Sequence, residues 1–249
     1  MLEKKVVENY VFDENTHKAL FKLARNNVID AIDSPIASGK EAITFLGHLK
    51  DNPLVAKIYK VETSKFKNMS KYILGDYRFK NVSKDRYDVF LVWAKKEYKN
   101  LCLAKKYGVS CPIVIGREKN IIIMSFIGKD SEPFPRLKDV REIDTKKVYE
   151  QIIDNYAKLL YGAGLVHADF SAYNILINIE DCKITFIDFG QAVVTAHPKA
   201  KEFLKADIIN ITDFLNKKDK KLQLTYDKML SDLKIKKEEL YGRNSESRI

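Results

Sequence analysis

Three oxygen-bearing side chains stand at a spacing that could do phosphoryl chemistry. In His167-Ala168-Asp169-Phe170-Ser171-Ala172-Tyr173-Asn174 an aspartate is followed five residues later by an asparagine. Fourteen residues beyond Asn174 comes Asp188, in Ile187-Asp188-Phe189-Gly190. Apolar steps on either side (Leu165-Val166, Ile175 to Ile177, Ile184 to Ile187) read as short strands, and strands bracketing such loops can bring Asp169, Asn174 and Asp188 together. Carboxylate and amide oxygens are what a hard cation such as Mg2+ takes. A carboxylate beside a hydroxyl nucleophile can serve as its general base.

H-x-D with Asn at the fifth position beyond, then D-F-G, resembles the catalytic loop and metal-binding residues of protein kinases. A plainer reading makes Asp169 and Asn174 turn formers and Asp188 a strand cap. Upstream residues bear on the choice. Leu54-Val55-Ala56-Lys57 fits a strand that delivers a lysine to nucleotide phosphates. Glu97 lies on the same helical stripe as Phe90, Trp93, Ala94, Leu101 and Ala104. A carboxylate on an apolar face needs a cation, since burial without one costs several kcal/mol. Lys57 is the natural partner; a solvated pairing with Lys95, Lys96 or Lys99 is the alternative.

Ser34-Pro35-Ile36-Ala37-Ser38-Gly39-Lys40 reads as a turn-rich loop before a strand. It lacks the first glycine of a Walker A loop, and Glu41 stands where that motif has Ser or Thr. Its small residues still let backbone N–H groups approach phosphate, although a plain connecting turn would look the same.

The elements that must position these residues follow from periodicity. Helices are predicted over 14–28, 90–107 and 145–163, and strand pairs at 42–49 with 54–59 and at 111–115 with 121–126. The lysine-rich stretch 60–88 is predicted to be a long flexible insertion, and the lysine-dense tail from Asn216 to fray at its end. Strands precede helices, which suits an α+β molecule of two lobes: an N-terminal helix (1–30), a strand-rich lobe (31–127) and a helix-rich lobe (128–249).

The 249 residues are 45% hydrophobic, enough for a core, which excludes a disordered or collagenous chain. A net charge of +10 implies polyanionic company, nucleotide or RNA phosphates among them. Cys102, Cys111 and Cys182 are odd in number and scattered, which disfavours a disulfide scaffold or zinc site and favours a reducing compartment. The start, MLEKKVVENYVF, has no long apolar run, and no stretch approaches the ~20 residues that span a bilayer. A cytoplasmic protein that does not enter membranes is expected.

Taken together, S-G-K-E-A (38–42), G-D-Y-R-F (75–79), L-V-H-A-D-F-S-A-Y-N (165–174) and I-D-F-G-Q-A-V (187–193) resemble the RIO family of atypical serine/threonine kinases, most nearly its RIO-one branch. The similarity covers most of residues 10–215. It implies a protein-kinase-like fold with a reduced second lobe and no activation loop; no A-P-E follows Gly190. It implies ATP with Mg2+, or Mn2+ in its place. Asp169 would be the base, and Asn174 and Asp188 the metal ligands. Lys57, paired with Glu97, would hold phosphates, and Ser38 would lie in the phosphate loop. Met124 would take the gatekeeper place, and the backbones of Ser125 and Ile127 would meet adenine. Ala172 and Ser125 depart from the family pattern, which usually has Glu at both places.

The resemblance further implies serine kinase and autokinase activity, ATP hydrolysis with Asp188 able to accept a phosphoryl group, and a role with rRNA and ribosomal proteins in maturing the small ribosomal subunit. A small-molecule phosphotransferase of the aminoglycoside or choline kinase kind stays open. So does a nucleotide-binding pseudokinase.

Overall fold

In a computed structural model of the chain, residues 13–60, 66–79 and 86–242 are described. They divide into two compact units, one comprising Met1–Lys99 with Pro112–Pro133, the other Asn100–Cys111 with Phe134–Ile249.

The first unit is built on a five-stranded antiparallel sheet. Its strands are β1 (Ala31–Ser38), β2 (Ala42–Leu49), β3 (Asn52–Tyr59), β4 (Val114–Glu118) and β5 (Ile121–Ser125), in the order β1-β2-β3-β5-β4. Alternation decides its two faces. Ile43, Phe45, Leu54, Ala56, Ile58, Ile121 and Ile123 form one buried cluster with Ala19 and Leu23 of helix α1 (Glu14–Arg25). That helix starts where the Asp13 carboxylate accepts the Thr16 N–H (2.7 Å). By the same period of two, Val55, Lys57 and Tyr59 share the opposite face of β3.

Residues 34–38, expected in a loop, belong to β1 instead. Pro35 has no N–H to give a ladder, yet β1 is an edge strand, and its pairing with β2 shifts register on both sides of Pro35. Only Gly39, Lys40 and Glu41 are left as the turn, closed by Gly39 N–H to the Ala42 carbonyl (2.9 Å).

The stretch 60–88 holds a helix, α2 (Phe66–Ile73), and a short helical turn at Tyr77–Phe79. Met69, Tyr72, Ile73 and Phe79 are buried, so enough apolar side chains sit among its lysines to dock it. The remainder of the expected insertion, 61–65 and 80–85, lies outside the described residues. The long helix α3 (Arg86–Lys106) follows, passing from the first unit to the second between Lys99 and Asn100.

The second unit is mostly helical. Asp144 caps α4 (Thr145–Ala157) through the Lys147 N–H (3.0 Å). The helix expected to run on to 163 changes to a wider π turn at Lys158–Gly162. Gly162 lies so close to Tyr107 and Tyr241 that a Cβ there would stand 2.3 Å from the Tyr241 hydroxyl. Short strands β6 (Leu165–Val166) and β9 (Val193–Val194) pair with each other, as do β7 (Ile175–Ile177) and β8 (Ile184–Phe186). Helix α5 (Ala200–Lys218) and a last helix, α6 (Tyr226–Tyr241), complete the unit. Thus much of the lysine-dense tail is ordered: Met229 and Leu233 are buried, and Tyr149 of α4 donates to Asp232 (2.8 Å). The expected fraying concerns 243–249, outside the described residues. No described helix is long and apolar enough to cross a membrane.

Candidate active site

In the first unit, Lys57 reaches Glu97. The ammonium lies 2.8 Å from Glu97 Oε1, with the lysine side chain 14% and the glutamate 1% exposed. Tyr59, two residues along the same face of β3, donates its hydroxyl to Glu97 Oε2. The glutamate is therefore neutralised by one group and hydrogen-bonded by another, which is what a buried carboxylate requires. The alternative pairing in solvent is not the one adopted. Lys96, next to it, is itself fully buried.

Ser38 ends β1 opposite Ile43, so it borders the turn rather than lying within it. The turn is strapped by Lys60, whose ammonium donates to the Gly39 carbonyl and whose N–H donates to the Glu41 carbonyl, both 2.9 Å. Met124 is buried on β5 opposite Val55. Ser125 is tied to Ile113 twice, its N–H donating (2.8 Å) and its Oγ accepting (2.9 Å). That N–H is committed to the protein. Ile127 follows β5 in irregular backbone and is half-buried.

In the second unit, Asp169 and Asn174 meet directly. Asn174 Nδ2 donates to the Asp169 carbonyl (2.8 Å) and to its Oδ2 (3.1 Å). Gln191 Nε2 donates to the same Oδ2 (3.1 Å). The Asn174 carbonyl accepts from the Ile187 N–H (2.9 Å), and His167 Nε2 lies 3.2 Å from the Ile187 carbonyl. The residue before Asp188 is thus fixed from both sides. Asp188 itself is exposed and takes a left-handed backbone (φ 64°). Ala168, before the other aspartate, does the same (φ 65°). Such conformations persist in L residues only where their surroundings enforce them.

Asp207 of α5 supplies part of that enforcement. Its buried carboxylate accepts from the Tyr156 hydroxyl (2.6 Å) and from the N–H groups of Ala168 (2.8 Å) and Phe170 (2.9 Å), the two neighbours of Asp169. Burial raises its pKa to about 6, against the lowering effect of those three hydrogen bonds. Asn100 Nδ2 donates to the carbonyls of Phe189 and Ala192 (2.9 and 2.8 Å), holding the segment after Asp188. Neither Asp207, Asn100 nor Gln191 was flagged by the sequence. Asn100 could have been, being polar on the apolar stripe of α3; Gln191 stands within I-D-F-G-Q-A-V with no role attached to it there, and Asp207 carries no local signal.

The donor set suits magnesium. The Asn174 amide turns its nitrogen to Asp169, which directs its oxygen away, and Asp188 offers a carboxylate after a fixed residue. Among the described residues no group of three or more His, Cys, Asp or Glu could cage a metal. Two oxygen ligands completed by phosphate and water are how Mg2+ is ordinarily held.

An antiparallel sheet carrying an ion-paired lysine, with a looped aspartate and asparagine ahead of an Asp-Phe-Gly segment, defines a protein-kinase-like fold. In agreement, the chain superposes on the Rio2 kinase–ADP/Mg2+–phosphoaspartate complex from Chaetomium thermophilum with a TM-score of 0.67, over 94% of this chain and 68% of that one, at 22% identity. The RIO domain model matches residues 42–229, and the chain belongs to the RIO family of serine/threonine kinases. It is 39% identical over 212 residues to the RIO-type serine/threonine-protein kinase Rio1 of Haloferax volcanii, covering 85% of this chain and 72% of the relative. With the Rio1 of Thermoplasma acidophilum it shares 46% identity over 164 residues, 66% of this chain and 85% of the relative.

Proposed function

We propose that this RIO-family kinase uses ATP and Mg2+ to phosphorylate serine, its own included, and to hydrolyse ATP through an aspartyl-phosphate. The observation that carries the reading is the orientation of Asp169. Asn174 and Gln191 both donate to its Oδ2, which fixes the direction of a carboxylate able to take a nucleophile's proton. Asn174 and Asp188 would hold magnesium, which when bound neutralises phosphate charge. Lys57, oriented by Glu97, would hold phosphates, with the turn after Ser38 contributing backbone N–H groups. Met124, Ser125 and Ile127 would border the adenine.

For hydrolysis, an Asp188 carboxylate oxygen attacks the γ-phosphorus as the bond to the ADP oxygen breaks; water then cleaves the acyl-phosphate to aspartate and phosphate. That Rio2 kinase was crystallised with phosphoaspartate supports this step. A cytoplasmic role in small ribosomal subunit maturation, with rRNA and ribosomal proteins as partners, agrees with the net charge of +10.

Incubation with [γ-32P]ATP, followed by hydroxylamine, tests the reading. Wild-type protein is expected to carry a hydroxylamine-labile label at Asp188 and a stable label on serine. Asp188→Asn should lose the first and Asp169→Asn the second. Label appearing mainly on an added hydroxylated metabolite would favour a small-molecule phosphotransferase, and no label at all would overturn both.

A further inference from the structure

Tyr173 stands directly before Asn174, in the loop that begins at Asp169, and it is 58% exposed. Apolar side chains scattered over a surface are ordinary and imply no function. Tyr173 differs in being held. Its helical turn, Ala172–Asn174, is anchored by the buried Ala172 and closed by the Asn174 N–H, which donates to the Ser171 carbonyl (2.9 Å). Its own N–H donates to Ser171 Oγ (3.3 Å). Asn174 is in turn bound to the carbonyl and Oδ2 of Asp169. The backbone of the tyrosine is thus tied to the carboxylate by a short series of contacts.

The ring is held as well. Lys138 places its ammonium 4.7 Å from the ring centre, within cation–π range. Lys138 belongs to a helical turn, Leu137–Asp139, which is seated by the buried Leu137. Arg136 bridges Leu176 of β7, and the Ile177 N–H donates to the Pro135 carbonyl (3.0 Å), so the segment is laid along that strand. The Lys138 ammonium also lies 2.7 Å from Asp139 Oδ1. With its charge matched by that carboxylate, the lysine steadies the ring without making an anion site beside it. A single-stranded nucleic acid asks for more than a stacking ring, namely a basic groove that tracks its phosphates. Tyr173 offers instead a fixed apolar surface with a hydroxyl at its end. Such side chains supply contact area at small entropic cost, because few torsions remain to be frozen.

We propose that Tyr173, steadied by Lys138, is a docking surface for the polypeptide acceptor, packing against an apolar or aromatic side chain close to the serine that is phosphorylated. This rests on the serine-kinase reading above: the serine oxygen takes the γ-phosphoryl group as its bond to the ADP oxygen breaks, and the hydroxyl proton passes to Asp169. In an extended peptide, residues one to three positions from the serine stand about 3.5–10 Å from it. That range covers the step from Asp169 Oδ2 to the Asn174 amide (3.1 Å) and along one residue to Tyr173.

The probes are fluorescein-labelled peptides of glycine and alanine with a central serine and either Phe, Lys, Glu or Ala two positions from it. Their binding to the full chain with Mg-ADP is read by anisotropy. Phe peptides are expected to bind wild type at least about fivefold more tightly than Ala peptides. Tyr173→Ala should erase that preference and Tyr173→Phe should keep it. With [γ-32P]ATP, Tyr173→Ala should lower the hydroxylamine-stable serine label about tenfold relative to the labile label at Asp188. No preference for Phe in wild type, or a preference that survives in Tyr173→Ala, overturns the proposal. An equal fall of both labels marks a structural role and overturns it as well. So does weakened binding of a uridine oligonucleotide in Tyr173→Ala without a peptide preference, which would assign the surface to RNA. If wild type puts no label on serine, the kinase reading falls, and the anisotropy comparison still decides whether Tyr173 receives peptide.

Discussion

Asn174 binds Asp169 twice, through the aspartate's main-chain carbonyl and through its Oδ2. The five-residue interval is thereby a closed loop whose two ends are hydrogen-bonded to each other. One side chain sets the direction of the carboxylate and, by the geometry of a planar amide, turns its own oxygen the opposite way. The proposed base and the proposed metal ligand are oriented by the same contact.

Asp169 should accordingly be needed for turnover and not for folding. It is half-buried and accepts from the amides of Asn174 and Gln191, and Asp169→Asn is expected to cut kcat about 10²–10⁴-fold. Chemical denaturation of the variant should stay within about 0.5 kcal/mol of wild type. Gln191→Ala removes one of the two donors to Oδ2 and should lower kcat about tenfold, with KM for ATP little changed. Steady-state kinetics with urea melts check both.

The Lys57–Glu97 pair should show strong coupling. Lys57→Met leaves Glu97 buried with Tyr59 but without its cation, at an expected cost of about 3 kcal/mol. Lys57→Met combined with Glu97→Gln removes the stranded charge and should recover more than half of that loss. A double-mutant cycle by urea denaturation measures the coupling. Additive effects would show that the pair contributes little.

Asp207 should give activity an acid limb. Ionised, it accepts three hydrogen bonds around Asp169; protonated, it gives up part of that capacity. Turnover is expected to fall as pH drops through about 6, and Asp207→Asn should have lower kcat without that limb. Stability runs the other way. The folded pKa is raised above the unfolded value of 3.8, so this contribution is fully present below that value and is lost as pH rises through about 6. Wild type should therefore gain stability relative to Asp207→Asn between pH 7 and 4, read by denaturation at each pH.

Asn100→Ala takes the side-chain donor from the carbonyls of Phe189 and Ala192. The expected cost is about 1–3 kcal/mol. Hydrogen exchange should locate the loosening at residues 188–192, next to Asp188, with α6 unaffected.

Much of this molecule was legible in the order of its residues. The strand interval Ile175 to Ile177 and the strands β2 and β3 follow from short apolar runs bounded by turn residues, and the stripe on α3 from the helical period. Those rules are local, so a window of sequence contains them. The same holds for the spacing of Asp169, Asn174 and Asp188, since a loop closed over five residues is local too. Glu97 could be matched to Lys57 because a carboxylate on an apolar face announces a missing cation.

Tertiary structure decided the rest. Composition alone made 34–40 a loop and 60–88 an insertion; Pro35 fits a strand because β1 is an edge, and Asp76 is buried with Arg78 gripping its carboxylate. Asp207 lies 38 residues beyond Asp169 on a helix that looks ordinary, and Gln191 is one polar residue among many. Their partners are backbone N–H groups and a carboxylate brought near by packing. Burial and partnership depend on which distant surfaces meet, and a one-dimensional pattern holds residue types and intervals but no such distances.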